Sequence, residues 1–520
     1  MPIIYSTRMQ YGYTDSSLMV RYLSHLSRLI TLLVPLYALC ACVSTSDLHE
    51  QTLSFKIPAS WTTATATTTA TETSNETQNS PTSLVEWWKN FNDPVLDILI
   101  AHTLQNNTNI NIAQASLRQA WALRDVAAAA LWPSLSGSAS AQHDAQNGKN
   151  TSNIFQVGVS ANWIPDLFGF HRSAINAADA TAQSSMASLG DVQVSIAAEA
   201  GLSYITLRNA EARMMIASEN LVSQEDTLRI TQWRQQAGLV TILESEQARS
   251  QTEQTRALLP TLQTTIRQTR HTLAILTGRP PTALASLLST KLPVPQVEAH
   301  LTMSIPAETL RQRADVRTAE LKMVAALAYV AQAKAARMPS FSLAGSLGAN
   351  SLTLGTLTNS SSMVSSLITN VAIPIIDGGA LRAQIRSQQA VCDQLRLSYE
   401  SVILTALKEV EDALIALQND RQRLVSLQHA SDAATTASLL ARQRFSTGLV
   451  DFQIVLETQR TQLNIQDSLA SAQAEVSSDH IRLYKALGGG WNADAVHRSA
   501  FVPISSNIAI QGNKNRNSTR

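Results

Sequence analysis

Residues 401–424, SVILTALKEVEDALIALQNDRQRL, carry the reading that decides the fold. They lie inside 380–447, a run of 68 residues with neither glycine nor proline, the two strongest helix breakers. Ile403, Val410, Leu417 and Leu424 recur every seven residues, and Leu407 and Leu414 make an interleaved row. This beat predicts coiled-coil-like packing, not the wider stripe of a surface helix. Between the rows the chain is polar: Lys408, Glu409, Glu411, Asp412, Gln418, Asn419 and Asp420. If wholly helical, the run is about 100 Å long. After Gly448 a second clean run, 449–487, predicts the return arm of an antiparallel hairpin. Taken by itself, the run reads as a cytosolic coiled coil or bundle.

An internal repeat extends the architecture. At a shift of 206, Ala113 falls on Ala319, Ala122 on Ala328, and Pro133-Ser134 on Pro339-Ser340. Ile164-Pro165 matches Ile373-Pro374 at 209, and Gly238-Leu239-Val240 matches Gly448-Leu449-Val450 at 210. Each half therefore reads as helix, proline, two short segments, proline, long helical hairpin. Asp93 suits the N-cap of the first such helix, with Pro94 in its first turn.

The short segments alternate with period two, which predicts strands with one apolar face. Phe155, Val157, Val159, Ala161 and Trp163 alternate with Gln156, Gly158, Ser160 and Asn162, and Ser134 to Gln142 alternates more weakly. In the second half Phe341, Leu343, Gly345 and Leu347 alternate with Ser342, Ala344 and Ser346, and Leu367, Thr369, Val371 and Ile373 form the return strand. Each is roughly the 9–11 residues that a tilted strand needs to cross a bilayer. Four strands cannot close a barrel, and an open edge is not viable in lipid, so membrane strands require several copies to pool them. Three copies give twelve.

The N-terminal region suits export. Leu29–Leu39 is a mostly apolar stretch after Arg21 and Arg28, the size of a signal-peptide core. Leu39-Cys40-Ala41-Cys42 follows, resembling a lipoprotein cleavage site with Cys42 as the acceptor of diacylglycerol and palmitoyl groups. The long leader points to translation starting at Met19. The expected division is a signal peptide over 1–41, a lipid-anchored segment over 42–86 with a Thr-rich spacer at Thr62–Thr77, repeats over 87–290 and 291–491, and a polar tail over 492–520.

Enzymatic and nucleic-acid readings find no support. The ten histidines are scattered without HExxH spacing, and there is no GxSxG, P-loop or GxGxxG. Gly488-Gly489-Gly490 follows a helix and reads as its stop. Forty basic residues balance 39 acidic ones with no basic stripe, and three cysteines exclude a disulfide framework. Glu409, Glu411 and Asp412 read as a solvated face before a metal cluster. Trp87 and Trp88 read as packing beneath the junction of sheet and helices.

Seven stretches in order resemble the outer-membrane factors of tripartite efflux systems, TolC-like channels, in the lipoprotein branch related to nodulation protein T. They are Trp88-Lys89-Asn90-Phe91-Asn92-Asp93-Pro94, Asp166-Leu167-Phe168-Gly169, Ala274-Ile275-Leu276-Thr277-Gly278-Arg279-Pro280, Arg313-Ala314-Asp315-Val316-Arg317-Thr318-Ala319-Glu320, Pro374-Ile375-Ile376-Asp377-Gly378-Gly379, Glu409-Val410-Glu411-Asp412-Ala413 and Tyr484-Lys485-Ala486-Leu487-Gly488-Gly489-Gly490-Trp491. Ala314 stands where the family usually has proline. The resemblance implies a mostly α protein with a membrane β-barrel: a homotrimer with a twelve-stranded outer-membrane barrel continuous with a periplasmic α-helical tunnel. It implies a passive duct for drugs or other small toxic compounds, with no cofactor. Its partners are a periplasmic adaptor (membrane fusion protein) and an inner-membrane RND-type transporter. It also implies a gate at the tunnel tip. Gln453, Glu457 and Arg460 share one helical face just after Asp451, and the family has a carboxylate and an arginine at Glu457 and Arg460. Thr241, Glu244 and Glu246 form the counterpart in the first half. The rival class is a periplasmic coiled-coil adaptor or structural lipoprotein, which carries a single hairpin flanked by soluble β domains.

Overall fold

The computed structural model describes residues 82–146, 150–297, 310 and 312–491, all within one unit of the chain. The expected start at Met19, the lipid acceptor Cys42, the Thr62–Thr77 spacer and the tail after Trp491 lie outside the described residues. After single turns at Thr82–Val85 and Trp87–Phe91 come α1 (Pro94–Asn106), α2 (Thr108–Ala129), β1 (Ser134–Gln146), β2 (Asn150–Trp163), α3 (Phe170–Gln236) and α4 (Ile242–Leu276). The second half runs α5 (Ala314–Ala335), β3 (Ser340–Ser351), β4 (Met363–Ala372), α6 (Ala380–Ser446) and α7 (Phe452–Ala486). The two halves match in length: α3 and α6 have 67 residues each, α4 and α7 have 35 each, and α2 and α5 have 22 each.

Local chemistry sets the helix ends. Asp93 accepts from the Val95 and Leu96 amides at 2.8 and 3.2 Å, and Pro94 occupies the first turn, where a missing N–H is harmless. Each hairpin turns at a glycine in the left-handed region, Gly238 (φ +72°) and Gly448 (φ +77°). There the Leu239 amide reaches the Arg234 carbonyl at 2.8 Å and the Leu449 amide reaches that of Arg444 at 2.9 Å. Both are Schellman closures, and both need a residue without Cβ strain at that position. Ala314 opens α5 without proline. Its N-cap Arg313 donates to Asp315, to Glu409 and to the Ala486 carbonyl, fastening the start of α5 to the end of α7.

The seven-residue beat of α6 is real, but its second row is displaced. Ile403, Val410 and Leu417 are buried, and the series continues through buried Ser431, Ser438 and Phe445. The interleaved seam consists of Ala406, Ala413, Ala434 and Ala441, one residue before the expected Leu407 row. Leu414 is buried beside this seam, whereas Leu407 is half-buried. Alanines at these positions let neighbouring helices approach closely.

α3 is the hub, packing against α1, α2, α4, α5 and α7. Its two internal glycines are seats for indoles. A Cβ at Gly190 would lie 2.4 Å from the Trp491 ring, and one at Gly201 would lie 3.0 Å from Trp87. The main core gathers Trp87, Trp88, Phe91, Leu96, Leu99 and Ile100 against Tyr204, Ile205, Leu207, Leu273, Ile481 and Tyr484. This corrects the expected location of the tryptophans. Gly201, against which Trp87 packs, is 31 residues along α3 from Phe170, roughly 45 Å from the sheet.

The sheet is antiparallel in the order β1-β2-β3-β4. Its strands have 13, 14, 12 and 10 residues, mostly longer than expected, and β4 stops at Ala372, one residue short of Ile373. Among the described residues, no helix is long and apolar enough to cross a membrane.

Candidate functional site

Strand register builds the first functional surface. Pairing of Ala139 with Val157, Val159 with Leu347, and Gly345 with Leu367 puts the apolar sets of all four strands on one face. Among the described residues nothing covers this face: Leu135 is 74 % exposed and Leu367 75 %. Phe155 and Trp163 bound it on β2, eight residues and about 26 Å apart, close to the apolar height of membrane barrels. The opposite face carries hydroxyls, and Ser136–Ser160 and Ser346–Ser366 bond across strands at 2.9 and 2.7 Å. β1 and β4 are the sheet's edges, without a further strand among the described residues.

Two carboxylates hand the sheet on to the long helices. Asp166 accepts from the Arg172 amide at 2.8 Å, and Asp377 accepts from Gly379 and Leu381 amides at 2.9 and 2.8 Å. Those amide bonds hold the Asp377 carboxyl below its ordinary range.

The second surface is the far end of the hairpins. Asp451 caps α7 by position, with no side-chain cap bond, and is exposed together with Gln453, Glu457 and Arg460. Arg460 pairs with Glu457 of its own chain at 3.3 Å, and both side chains are more than half exposed. In the first half the Thr241 amide and hydroxyl both donate to Glu244, and Glu246 pairs with Arg249 at 3.2 Å. Four exposed apolar side chains, Leu239, Ile242, Leu243 and Leu449, crown the two turns.

Sequence reasoning missed what holds this end together. Phe445 and Phe452 flank the Gly448 turn with ring centroids 5.6 Å apart, packed with Ala248, Ala441 and Val455. Arg234 lies over the Phe445 ring at 4.3 Å and donates to the Ser446 carbonyl at 3.0 Å. Phe445 was detectable, since it continues the series begun at Ile403. Above the cluster, the hairpins meet through polar groups. Gln459 donates to Thr227 at 2.9 Å, Asn220 to Gln466 at 2.8 Å, and Arg213 forks onto Asp467 at 2.6 and 3.0 Å. A groove of about 250 Å³ beside the cluster is lined by Thr227, Ile230, Leu439, Arg442 and Phe445.

Charges between α6 and α7 form a network in place of a metal site. The carboxylates of Asp420, Glu475 and Asp479 converge, and Arg482 bridges Glu475 and Asp479 at 2.6 Å each. The earlier candidates Glu409 and Asp412 are in ion pairs with Arg313 and Lys408. Burial raises the Asp479 carboxyl to about 6, against the lowering effect of Arg482. Burial, helped by Arg421, lowers the neighbouring His480 to about 4. His480 therefore stays neutral, with Nε2 accepting from Arg421 at 3.1 Å. A depressed imidazole contributes stability above the unfolded value near 6.5 and loses it as pH falls through about 4. A raised carboxyl works in the opposite sense, so Asp479 offsets part of that loss. His480→Gln keeps an acceptor for Arg421 without a titrating ring. It should gain about 2 kcal/mol over wild type near pH 4.5 and nothing near pH 8, measured by denaturant unfolding. Equal gains at both values would count against the titration.

Comparison with known proteins agrees with this geometry. The profile of the outer membrane efflux protein family matches residues 99–279 and 305–489. The pyoverdine export outer membrane protein OpmQ of Pseudomonas putida is 31 % identical over 484 residues, covering 90 % of this chain and 98 % of that protein. Nodulation protein T of Rhizobium leguminosarum bv. viciae is 29 % identical, covering 82 % and 89 %. The solved outer-membrane channel OprN is 32 % identical with a TM-score of 0.75, covering 84 % of this chain and 98 % of that one. The chain belongs to the outer membrane efflux protein family. It is an efflux channel of the Gram-negative outer membrane, a conduit and not an enzyme.

Proposed function

We propose that three copies pool their sheets into a closed twelve-stranded barrel, continuous with a tunnel made of their hairpins. The uncovered apolar face of a four-stranded sheet with two open edges carries this reading. Such a sheet is unstable alone in water and inviable alone in lipid, and closure by further copies removes both problems. The hydroxyl face then lines the pore. The duct serves a tripartite pump, with a periplasmic adaptor and an inner-membrane RND-type transporter delivering drugs or other small toxic compounds. The exposed leucines of the two turns and the groove beside Phe445 suit an apolar adaptor tip. Cys42 is the lipid anchor. The test is an SDS-resistant trimer that conducts ions across a planar bilayer. A monomer that conducts nothing overturns the reading.

The gate is assigned to Asp451, Gln453, Glu457 and Arg460. Three-fold symmetry turns Glu457 into a carboxylate ring that favours cations. Within one chain the exposed Glu457–Arg460 pair is worth only a few tenths of a kcal/mol. A latch therefore needs tips close enough for Arg460 to meet a second copy's carboxylate. Glu457→Ala combined with Arg460→Ala should raise the closed-state leak severalfold in single-channel recordings. Unchanged closure removes the latch.

A further inference from the structure

The two junctions between sheet and helices are built alike and charged differently. At the first, Arg124 faces Asp125 and Asp179 at 3.1 and 3.7 Å, and Arg172 is held by Asp166 at 3.3 Å. At the second, Lys334 ends α5 and Arg337 follows it, and Arg382 and Arg386 lie in the first two turns of α6. All four are exposed, and among the described residues none has a carboxylate partner in an ion pair. The nearby Asp377 is engaged by the Gly379 and Leu381 amides. Shifted back by 206 and 210, these positions become Ala128, Leu131, Arg172 and Asn176. Three of the four cations therefore have no charged equivalent at the first junction, which forms without them, and the fourth, Arg382, matches Arg172, which Asp166 holds.

One of these cations also sits where the backbone disfavours it. Arg382 lies in the first turn of α6, which contains no acidic residue, and the positive end of a helix dipole repels cations there. The Asp377 carboxylate just outside the helix offsets part of that repulsion, and an external anion would offset more. Ser340 pairs with Ala372, so the bases of β3 and β4 adjoin, and α5 packs against α6. The four cations thus surround one junction, beside exposed Met338, Ile375 and Ile376, the last two 88 % and 93 % exposed. Apolar side chains next to a cluster of unpaired cations, at the end of an apolar sheet face, match the boundary between acyl chains and phosphates.

We propose that Lys334, Arg337, Arg382 and Arg386 dock the phosphate headgroups of anionic phospholipid in the leaflet at the helical end of the sheet, with Met338, Ile375 and Ile376 in the acyl region. The proposal rests on the membrane-spanning sheet. Trp132, 75 % exposed, and Trp163 stand at the same end and report on it. In the reconstituted trimer, tryptophan quenching by dibrominated phosphatidylglycerol is compared with quenching by dibrominated phosphatidylcholine. Wild type should prefer the anionic lipid by at least about fivefold at low salt, the factor expected of one basic residue at an anionic surface, and less at high salt. Lys334→Gln, Arg337→Gln, Arg382→Gln and Arg386→Gln together should abolish the preference. Arg382→Lys with Arg386→Lys should keep it, which separates charge from misfolding. Equal quenching by the two lipids in wild type, or a preference that survives the fourfold variant, overturns this inference alone. Quenching by neither lipid overturns the membrane-spanning sheet as well.

Discussion

Trp87→Ala should destabilise the chain by about 3–5 kcal/mol, the cost of removing a large aromatic from a closed core. Trp87 is 1 % exposed. Its ring stacks on Tyr484 at 5.7 Å and meets Trp88 and Phe91 edge-on. It touches α3 at Gly201 and lies beside Ile481 of α7, so it ties together helices from both repeats. No nearby side chain can swing in to fill the space, because Leu96, Leu99 and Ile100 are already fully buried. Guanidinium unfolding of the purified protein measures the effect. A loss below about 1 kcal/mol would mean that the site collapses freely and that the two repeats are fastened elsewhere. Trp87→Phe should recover part of the loss by keeping one ring in the stack.

Phe452→Ala should have the largest effect on the far end of the hairpins. Phe452 is 2 % exposed and fills a cluster of only five buried residues. Removing its ring should cost that end about 3 kcal/mol locally, since it takes the centre out of a small apolar cluster. Amides around the Gly448 turn should then exchange roughly 100-fold faster, because each 1.4 kcal/mol of local stability is a factor of ten. In planar bilayers the same variant should leak in the closed state. The global midpoint should move little, because the main core around Trp87 is on a different part of α3. Unchanged exchange at the turn would show that Arg234, through its contact with Phe445 and the Ser446 carbonyl, suffices to hold the apex.

Both predictions concern residues whose roles were only half legible from the chain. Periodicity identified α6 and the strand faces, because helix and strand each impose their own repeat on every buried position. It also located the turns at Gly238 and Gly448 and the cap at Asp93, which depend on residues within one or two turns of chain. The shared helical face of Gln453, Glu457 and Arg460 was visible for the same reason. Phe452 was not, because its partners Ala248 and Phe445 come from separate helices.

What the sequence determined by itself, then, is everything governed by short range: hairpins, strand alternation, capping and breaking. Breaker logic also had a limit. Gly190 and Gly201 lie inside α3 and Pro260 inside α4, yet both helices run through. Only the tertiary structure showed that the two glycines clear space for Trp491 and Trp87. It likewise decided that Ala406 and Ala413, not Leu407, form the second seam, and that Trp87 sits far from the sheet. A seven-residue beat marks a buried stripe without saying which neighbour lies over it. That choice is made by side chains on other helices, whose shapes must fit together once the chain has closed.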